Sequence, residues 1–313
     1  MLQYLVILLD DTATSFCHYA IPMRKRHLIP LETLRKAILF AMKENLNVQF
    51  VYPDYELPTD YIALIDTIDH TDICPCRGPM IGDVNVAESW DELSASSLVA
   101  ASTYVLRTCR AEFVERYVEL KSILSHVARL NVVLTDVETF AEADYAAYKT
   151  ALQSISKEVE RLYVDGSSPQ LNLLTDRMML KSMNNCGAGD TTLTLAPNGQ
   201  FYICPAFYYE PNDNNVGTLE NGHVVKNAQL YRLDHAPICR KCDAYQCRRC
   251  VWLNYRTTLE VNTPSREQCV TAHLERNASR ELLYEIRRHG TFLSSNEDIT
   301  EIDYLDPFDI VEK

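Results

Sequence analysis

Short apolar runs alternate with amphipathic stretches over the first 180 residues. Leu5–Leu9 is a continuous apolar run of strand length, and 30–42 repeats apolar residues on one helical face. The same alternation continues along the chain. It predicts further strands at 48–52, 83–87, 104–109, 131–135 and 170–174, and further helices at 61–68, 94–101, 113–130 and 145–163. Repeated strand–helix units predict a parallel sheet covered by helices, with ligands at the carboxyl ends of the strands.

Six such units are too few to close an eight-unit barrel. We therefore predict an α/β fold in which residues 1–180 form a partial (β/α)6 barrel or an open sheet.

The pattern changes at residue 181, where turn signals and cysteines become dense. Residues 192–195 and 200–204 flank Asn198-Gly199, a pair typical of tight hairpin turns. A second small hairpin is predicted around 218–225, and a long helix from Pro264 onward. We expect a small α+β domain at 181–290, followed by an acidic tail at 291–313.

Composition narrows the function classes. The chain carries a net charge of −13, so a general nucleic-acid binder, which needs a basic face, is not expected. The apolar N-terminal run is too short to span a bilayer and has no positive flank. We therefore expect a cytoplasmic protein with neither a nucleic acid nor a membrane as its partner.

Seven of the eleven cysteines lie between Cys186 and Cys269, and four of them form the pattern Cys-x2-Cys-x4-Cys-x2-Cys. A two-residue gap lets both thiolates of a pair turn onto one ion. A reducing compartment favours metal over disulfides. Zinc and iron–sulfur ligation both remain open, since spacing alone does not choose between them. The predicted metal ligands are Cys186, Cys204, Cys239, Cys242, Cys247, Cys250 and Cys269.

Basic residues are interleaved with these cysteines. Arg240, Lys241, Arg248 and Arg249 either offset the charge of a thiolate cluster or form a solvated basic face, and both interpretations stay open. In the N-terminal half, Cys17 and His18 suggest a nucleophile–base pair, but adjacent residues rarely face one another. A buried Cys17 beside a polar His18 is the favoured interpretation.

The cysteine pattern resembles the SPASM domain. That domain follows radical S-adenosylmethionine (AdoMet) enzymes that modify ribosomally made peptides. Its first part reads Cys, nine to fifteen residues, Gly, four residues, Cys, and here Cys186, Gly199 and Cys204 match it. Four close cysteines and a late Cys269 follow, although the gaps between the four are two, four and two residues where the family commonly has two, five and three. The six-unit N-terminal half looks like the partial barrel of the superfamily.

A narrower resemblance is carried by two stretches. Leu195-Ala-Pro-Asn-Gly-Gln-Phe-Tyr-Ile-Cys-Pro-Ala-Phe207 and Cys242-Asp-Ala-Tyr-Gln-Cys-Arg-Arg-Cys-Val-Trp-Leu-Asn254 are similar to the CXXX repeat peptide maturases. This resemblance implies a precursor peptide as partner, and covers about 186–280.

The chain departs from the family in two places: the loop after the first strand and the second set of cluster ligands. Radical AdoMet enzymes carry Cys-x3-Cys-x2-Cys after the first strand, whereas the matching loop here contains Cys17 alone. We therefore do not expect this chain alone to cleave AdoMet. The resemblance implies that Cys239, Cys242, Cys247 and Cys269 hold one [4Fe–4S] cluster. It leaves Cys186, Cys204 and Cys250 as an incomplete second site, with His235 or His273 as the nearest additional ligands.

Three hypotheses follow. The first is a pseudo-radical-AdoMet protein that binds a precursor peptide and supports a partner modifying enzyme. The second is a zinc-stabilised scaffold or adaptor without redox chemistry. The third is an enzyme that uses the open position of an incomplete auxiliary cluster.

Overall fold

A computed structural model describes residues 1–21, 25–183 and 185–299. Within these ranges the strands form one mixed sheet of eleven. The strands are β1 Tyr4–Leu8, β2 Asn47–Val51, β3 His70–Pro75, β4 Val84–Ala87, β5 Thr103–Thr108, β6 Arg129–Leu134, β7 Gln170–Leu171, β8 Thr192–Leu195, β9 Gln200–Tyr202, β10 Gly217–Thr218 and β11 Gly222–His223.

The sheet runs in the order β11-β10-β9-β8-β1-β2-β3-β4-β5-β6-β7. Strands β1 to β7 pair in parallel, in chain order. Strand β8 pairs with β1, also in parallel, with Tyr4 opposite Thr192. Strands β8 to β11 are antiparallel to one another. The cysteine-rich region therefore extends the N-terminal sheet directly at the edge of β1.

Helices pack against the sheet. Those in the described residues are α1 Leu31–Glu44, α2 Thr59–Ile65, α3 Trp90–Ala95, α4 Arg110–Arg116, α5 Leu120–Ile123, α6 Glu142–Val164, α7 Thr175–Met179, α8 Pro205–Tyr208, α9 Val251–Thr258 and α10 Arg266–His289.

Local signals account for the helix ends. Helix α1 ends at Asn45, which takes the left-handed conformation that asparagine tolerates. Helix α10 begins after Ser265, whose side chain accepts a hydrogen bond from the Gln268 amide. Helix α10 packs along α6, so the C-terminal region is joined to the N-terminal one by a helix pair as well as by the sheet.

Successive side chains of β1 point to opposite faces of the sheet and belong to two different apolar clusters. Leu5 and Ile7 pack outward with α1, whereas Val6 and Leu8 face the concave side of the sheet. We call that concave side the inner face. Its buried apolar residues on the neighbouring parallel strands are Val51, Ile73, Val86, Val105 and Val133.

The predicted fold class is confirmed, with one more parallel strand than the sequence indicated. Strand β3 was missed because His70, Thr71 and Asp72 interrupt its apolar pattern, although its backbone pairs with β2. The hairpin around Gly199 is confirmed, and Gly199 has the positive φ of 79° that its turn requires.

Two helix predictions need correction. The helix predicted at 94–101 is α3, at Trp90–Ala95. The long helix predicted at 113–130 is interrupted by a 3-10 turn at Tyr117–Glu119, and the chain enters β6 at Arg129. Helix α9 was not predicted. Helical periodicity continues through such breaks, so sequence pattern alone does not reveal them.

No helix in the described ranges is long and apolar enough to cross a membrane. The predicted acidic tail lies outside the described residues from 300 onward. Its first part is packed: the Phe292 ring lies 4.7 Å from that of Tyr163, and the Asn296 side chain donates to the Met178 carbonyl.

Candidate metal centre

Six of the seven predicted ligands fall into two groups. Cys186, Cys204 and Cys250 line one cavity of about 330 Å³. Cys239, Cys242 and Cys247 form a second group in the turn before α9, where they perturb one another's thiols. We call these the cavity group and the knuckle group. The family resemblance implied the same two sets with Cys269 added to the second, and the role of all seven as metal ligands stays a prediction.

Each cysteine of the cavity group lies at a turn or at the start of a helix. Cys186 precedes a tight turn at Gly187 and its carbonyl accepts from the Thr192 hydroxyl. Cys204 stands at the N-cap position of α8 without a side-chain cap hydrogen bond, whereas the Cys250 side chain caps α9. The Leu253 amide donates to the Cys250 sulfur at 3.5 Å. Sulfur atoms at helix N-termini face free amides, an arrangement that stabilises thiolates and metal-bound sulfur.

The thiols of the cavity group are close enough to interact. Burial raises the pKa of Cys204 well above its ordinary value, and the neighbouring Cys250 and Cys186 raise it further. Burial likewise raises the pKa of Cys250, with Cys186 and Cys17 adding to the shift. Neighbouring thiolates repel one another unless a cation offsets their charge, as a bound soft metal would.

The knuckle group shows the same electrostatics. Burial raises the pKa of Cys247 to about 12, with added repulsion from Cys239 and Cys242. Burial raises the pKa of Cys239 to about 11, while Arg249 lowers it. Cys269 lies buried in the first turns of α10, one helical turn before His273. His273 reaches this group, because its Nε2 atom lies 3.3 Å from the Cys242 sulfur.

His273 and His235 were the candidate additional ligands for the incomplete site. His273 joins the knuckle group instead, and burial lowers its pKa to about 4, which keeps the ring neutral and able to ligate. His235 is exposed and does not line the cavity; its carbonyl accepts from the Asn262 side chain. Neither histidine completes the cavity group.

The basic residues that lie between these cysteines in the sequence differ in their contacts and burial. Arg249 is buried, donates to the Tyr231 carbonyl and lowers the pKa of Cys239. Arg248 donates to Asn131 at 3.1 Å and lowers the pKa of Cys17. Arg240 and Lys241 are exposed. Arg248 is exposed as well, so Arg249 is the one buried charge among the four.

The loop after β1 brings a residue that the sequence analysis did not assign to this site. Cys17 lines the same cavity as Cys186, Cys204 and Cys250. Its neighbour His18 bonds through Nδ1 to the Leu134 carbonyl at 3.0 Å, and burial lowers its pKa to about 4. That contact favours the interpretation of Cys17 as a buried cysteine beside a polar histidine over a nucleophile–base pair. The only sequence signal for Cys17 was its position after the first strand.

The donor chemistry suits a soft metal or an iron–sulfur cluster, but the grouping is too open for one ion. Within 1–21, 25–183 and 185–299, no three His, Cys, Asp or Glu side chains are grouped to hold a single metal ion. The AdoMet-cleaving cluster of the radical AdoMet fold needs three cysteines in the β1 loop, and only Cys17 is there. The residues present do not fit that cluster.

Comparison with known proteins rests on structure. No family model matches the chain, and no curated protein matches it. A solved structure of hexahistidine-tagged anSMEcpe with bound AdoMet matches with a TM-score of 0.59 and 12% identity, over 91% of this chain and 99% of that one. The chain has a radical SAM-like fold. At this identity the likeness establishes the fold alone.

A second solved structure agrees. "Native anSMEcpe with bound AdoMet and Cp18Cys peptide" matches with a TM-score of 0.58 and 11% identity, over 92% of this chain and 100% of that chain. Streptococcus suis SuiB bound to S-adenosylmethionine has 11% identity over 86% of this chain and 75% of that chain, but its TM-score of 0.47 carries no argument. The radical SAM-like fold thus spans both the partial barrel and the cysteine-rich region.

Proposed function

We propose that this protein takes part in the maturation of a ribosomally made peptide of the CXXX repeat type, by binding the precursor peptide and supporting a partner enzyme that modifies it. The observation that carries the proposal is a radical SAM-like fold, over almost the whole chain, whose β1 loop keeps one cysteine of the three that AdoMet cleavage needs. We propose that the protein acts in the cytoplasm.

Peptide binding is supported by the fold's neighbours and by this chain's own cysteine pattern. The anSMEcpe structures include one solved with the Cp18Cys peptide and one with the Kp18Cys peptide. The resemblance over about 186–280 to CXXX repeat peptide maturases points to a cysteine-containing precursor. The fold and the local motifs therefore support the same class of partner.

The loss of AdoMet cleavage is supported by what stands in the β1 loop. Arg107 donates to the carbonyl oxygens of Cys17 and Tyr19, and pairs with Glu88. His18 bonds to the end of β6. These contacts tie the loop to the carboxyl ends of β5 and β6, the edge where such sheets bind ligands. The loop is thus organised by protein contacts where three cluster ligands would otherwise stand.

Cys239, Cys242, Cys247 and Cys269 would hold a [4Fe–4S] cluster in the knuckle, which when bound supplies electron transfer or a rigid anchor for the peptide. The chain's own residues adjust the charge of that site. His273 is held uncharged beside Cys242, and Arg249 offsets the thiolate charge of Cys239. We propose that the chain is divided into three units, at 1–180, 181–290 and 291–313. The cysteine-rich second unit is joined to the partial barrel by the pairing of β8 with β1.

Two measurements on the full chain, prepared and reconstituted without oxygen, test the proposal. A labelled synthetic peptide of four Cys-x-x-x repeats is titrated with the protein and its fluorescence anisotropy recorded. The matched control replaces every peptide cysteine with serine. We expect saturable binding that is weaker for the serine peptide; equal or absent binding of both contradicts the proposal.

The second measurement adds AdoMet and dithionite and quantifies 5′-deoxyadenosine. We expect none above the level of a protein-free control. Turnover by this chain alone contradicts a supporting role and assigns it as the modifying enzyme. Zinc without iron in the purified protein favours the scaffold hypothesis.

A further inference from the structure

The cavity at the inner face brings four cysteines together from four separate segments. Cys17 comes from the loop after β1, Cys186 from the turn before β8, Cys204 from the end of β9 and Cys250 from the start of α9. The remaining lining includes Val6 of β1 and Gln49 of β2, so the cavity lies against the sheet. Four convergent sulfur donors are the complete ligand set of a tetrahedral or cubane centre.

Cys17 is held in this position by a network of contacts on both sides of it. The buried guanidinium of Arg107 donates from Nε to the Cys17 carbonyl at 2.9 Å and also contacts the Tyr19 carbonyl. The Tyr19 ring stacks on Tyr209, with ring centroids 5.7 Å apart. These contacts join the Cys17 loop to the barrel and to the cysteine-rich region.

One ligand sulfur also has a hydrogen-bond partner. The Leu253 amide donates to the Cys250 sulfur at 3.5 Å, a contact of the kind that stabilises metal-bound sulfur.

The size of the cavity distinguishes a cluster from a single ion. One zinc ion with bonds of about 2.3 Å requires ligand sulfurs roughly 3.8 Å apart. In the described part of the chain, no three His, Cys, Asp or Glu side chains are grouped to hold one metal ion. The cavity of about 330 Å³ is also roughly ten times the ~30 Å³ share of one water molecule. The cavity therefore has room for a polynuclear cluster.

We propose that Cys17, Cys186, Cys204 and Cys250 together hold a [4Fe–4S] cluster in this cavity. Each cysteine binds as a thiolate, so assembly releases four thiol protons to solvent. With four protein ligands the cluster has no open iron. It therefore serves electron transfer or structure and leaves no position for substrate ligation, which argues against an enzyme that uses an open auxiliary cluster. The inference rests on the proposed function only for its biological setting.

The test compares iron and sulfide content and EPR spectra of the reduced, anaerobically reconstituted full chain. The variants are Cys17→Ala, Cys17→Ser and Cys186→Ala. The matched control is Cys109→Ala, a half-buried cysteine that also follows a barrel strand and does not line the cavity. Circular dichroism confirms that each variant is folded.

We expect about eight irons per chain for the wild type and the control, and about four for Cys186→Ala. The Cys17 variants either lose about four irons or keep a cluster whose EPR spectrum changes when imidazole is added. The wild-type spectrum does not respond to imidazole, because every iron of the cluster is already ligated. The imidazole response is the readout that mere destabilisation does not reproduce.

Two results overturn the proposal. In the first, Cys17→Ala retains wild-type iron, sulfide and EPR spectra while Cys186→Ala loses a cluster, so Cys17 is not a ligand. In the second, the wild type binds zinc alone. Peptide binding is measured separately. A wild type that holds this cluster but binds no peptide contradicts the proposed function and leaves the present inference standing.

Discussion

The guanidinium of Arg107 donates a hydrogen bond from Nε to the backbone carbonyl of Cys17, 2.9 Å away and 90 residues earlier in the chain. Arg107 stands on the inner face of β5, and Glu88 from the end of β4 pairs with it. The ion pair between Arg107 and Glu88 thus holds the backbone of the β1 loop, which places Cys17 beside the cysteine-rich region.

This arrangement predicts that Arg107→Ala destabilises the protein. The side chain is only 7% exposed, and its removal leaves a half-buried Glu88 and two carbonyl groups without a donor. We expect the free energy of unfolding to fall by about 3 kcal/mol, measured by urea denaturation. The control Arg161→Ala removes exposed pairs on α6 and should cost about 0.5 kcal/mol. Equal losses for the two variants refute the prediction.

Asp243 is predicted to stabilise the knuckle. Arg276, 1% exposed, makes a forked contact with its carboxylate, with nitrogen–oxygen distances of 2.7–3.1 Å, and Arg177 lies 3.6 Å away. Asp243→Asn removes the charge that both guanidinium groups contact, so we expect a loss of about 3 kcal/mol or more in unfolding free energy.

The matched control for that substitution is Asp234→Asn, which breaks an exposed pair with Arg232. Thermal unfolding of the two variants should place Asp243→Asn several degrees below Asp234→Asn. If both melt with the wild type, the buried contact contributes nothing to stability.

We predict that the free energy of unfolding depends on pH through the side chain of Glu275. Burial raises its pKa from 4.5 to about 7, against hydrogen bonds from Tyr148 and Gln246. The folded state therefore holds this proton more tightly than the unfolded state. The resulting stability is full below about pH 4.5 and is lost as the pH rises through 7.

We expect this group to lower the unfolding free energy by up to about 3 kcal/mol between about pH 4.5 and 8. Glu275→Gln keeps an acceptor for Tyr148 and should flatten that slope, measured by urea denaturation at about pH 5 and pH 8. Glu281→Gln, an exposed position on the same helix, should retain the wild-type slope. A wild-type slope in Glu275→Gln contradicts the assignment.

The turn beside Cys186 is predicted to need glycine. Gly187 has a φ of +64°, and a Cβ there would stand 2.0 Å from the Thr191 hydroxyl. Gly187→Ala should cost about 2 kcal/mol or more and lower metal content, because the strained turn carries Cys186. Gly166→Ala, at φ +85° with open space around it, tests the strain alone and should leave metal content unchanged. Equal metal content in both variants rules out the proposed effect on Cys186.

Most of the cysteine module was predictable because its signals are local. The spacing from Cys239 to Cys250 and the Asn198-Gly199 turn each depend on residues a few positions apart, as does the start of α10. Strand β3 was not predictable in the same way. His70 and Asp72 read as a polar loop, and only pairing with β2 makes the segment a strand.

Pattern and spacing along the chain were enough to predict the fold class and the cysteine-rich region, and the family resemblance implied the two ligand sets and the incomplete β1 loop. Three further relationships emerge only in the folded chain: β8 lies beside β1, His273 belongs with Cys242, and Cys17 shares a cavity with Cys186, Cys204 and Cys250. Periodicity and turn signals act within a few residues. Contacts between residues far apart in the chain depend on strand order and buried ion pairs, which no short stretch encodes.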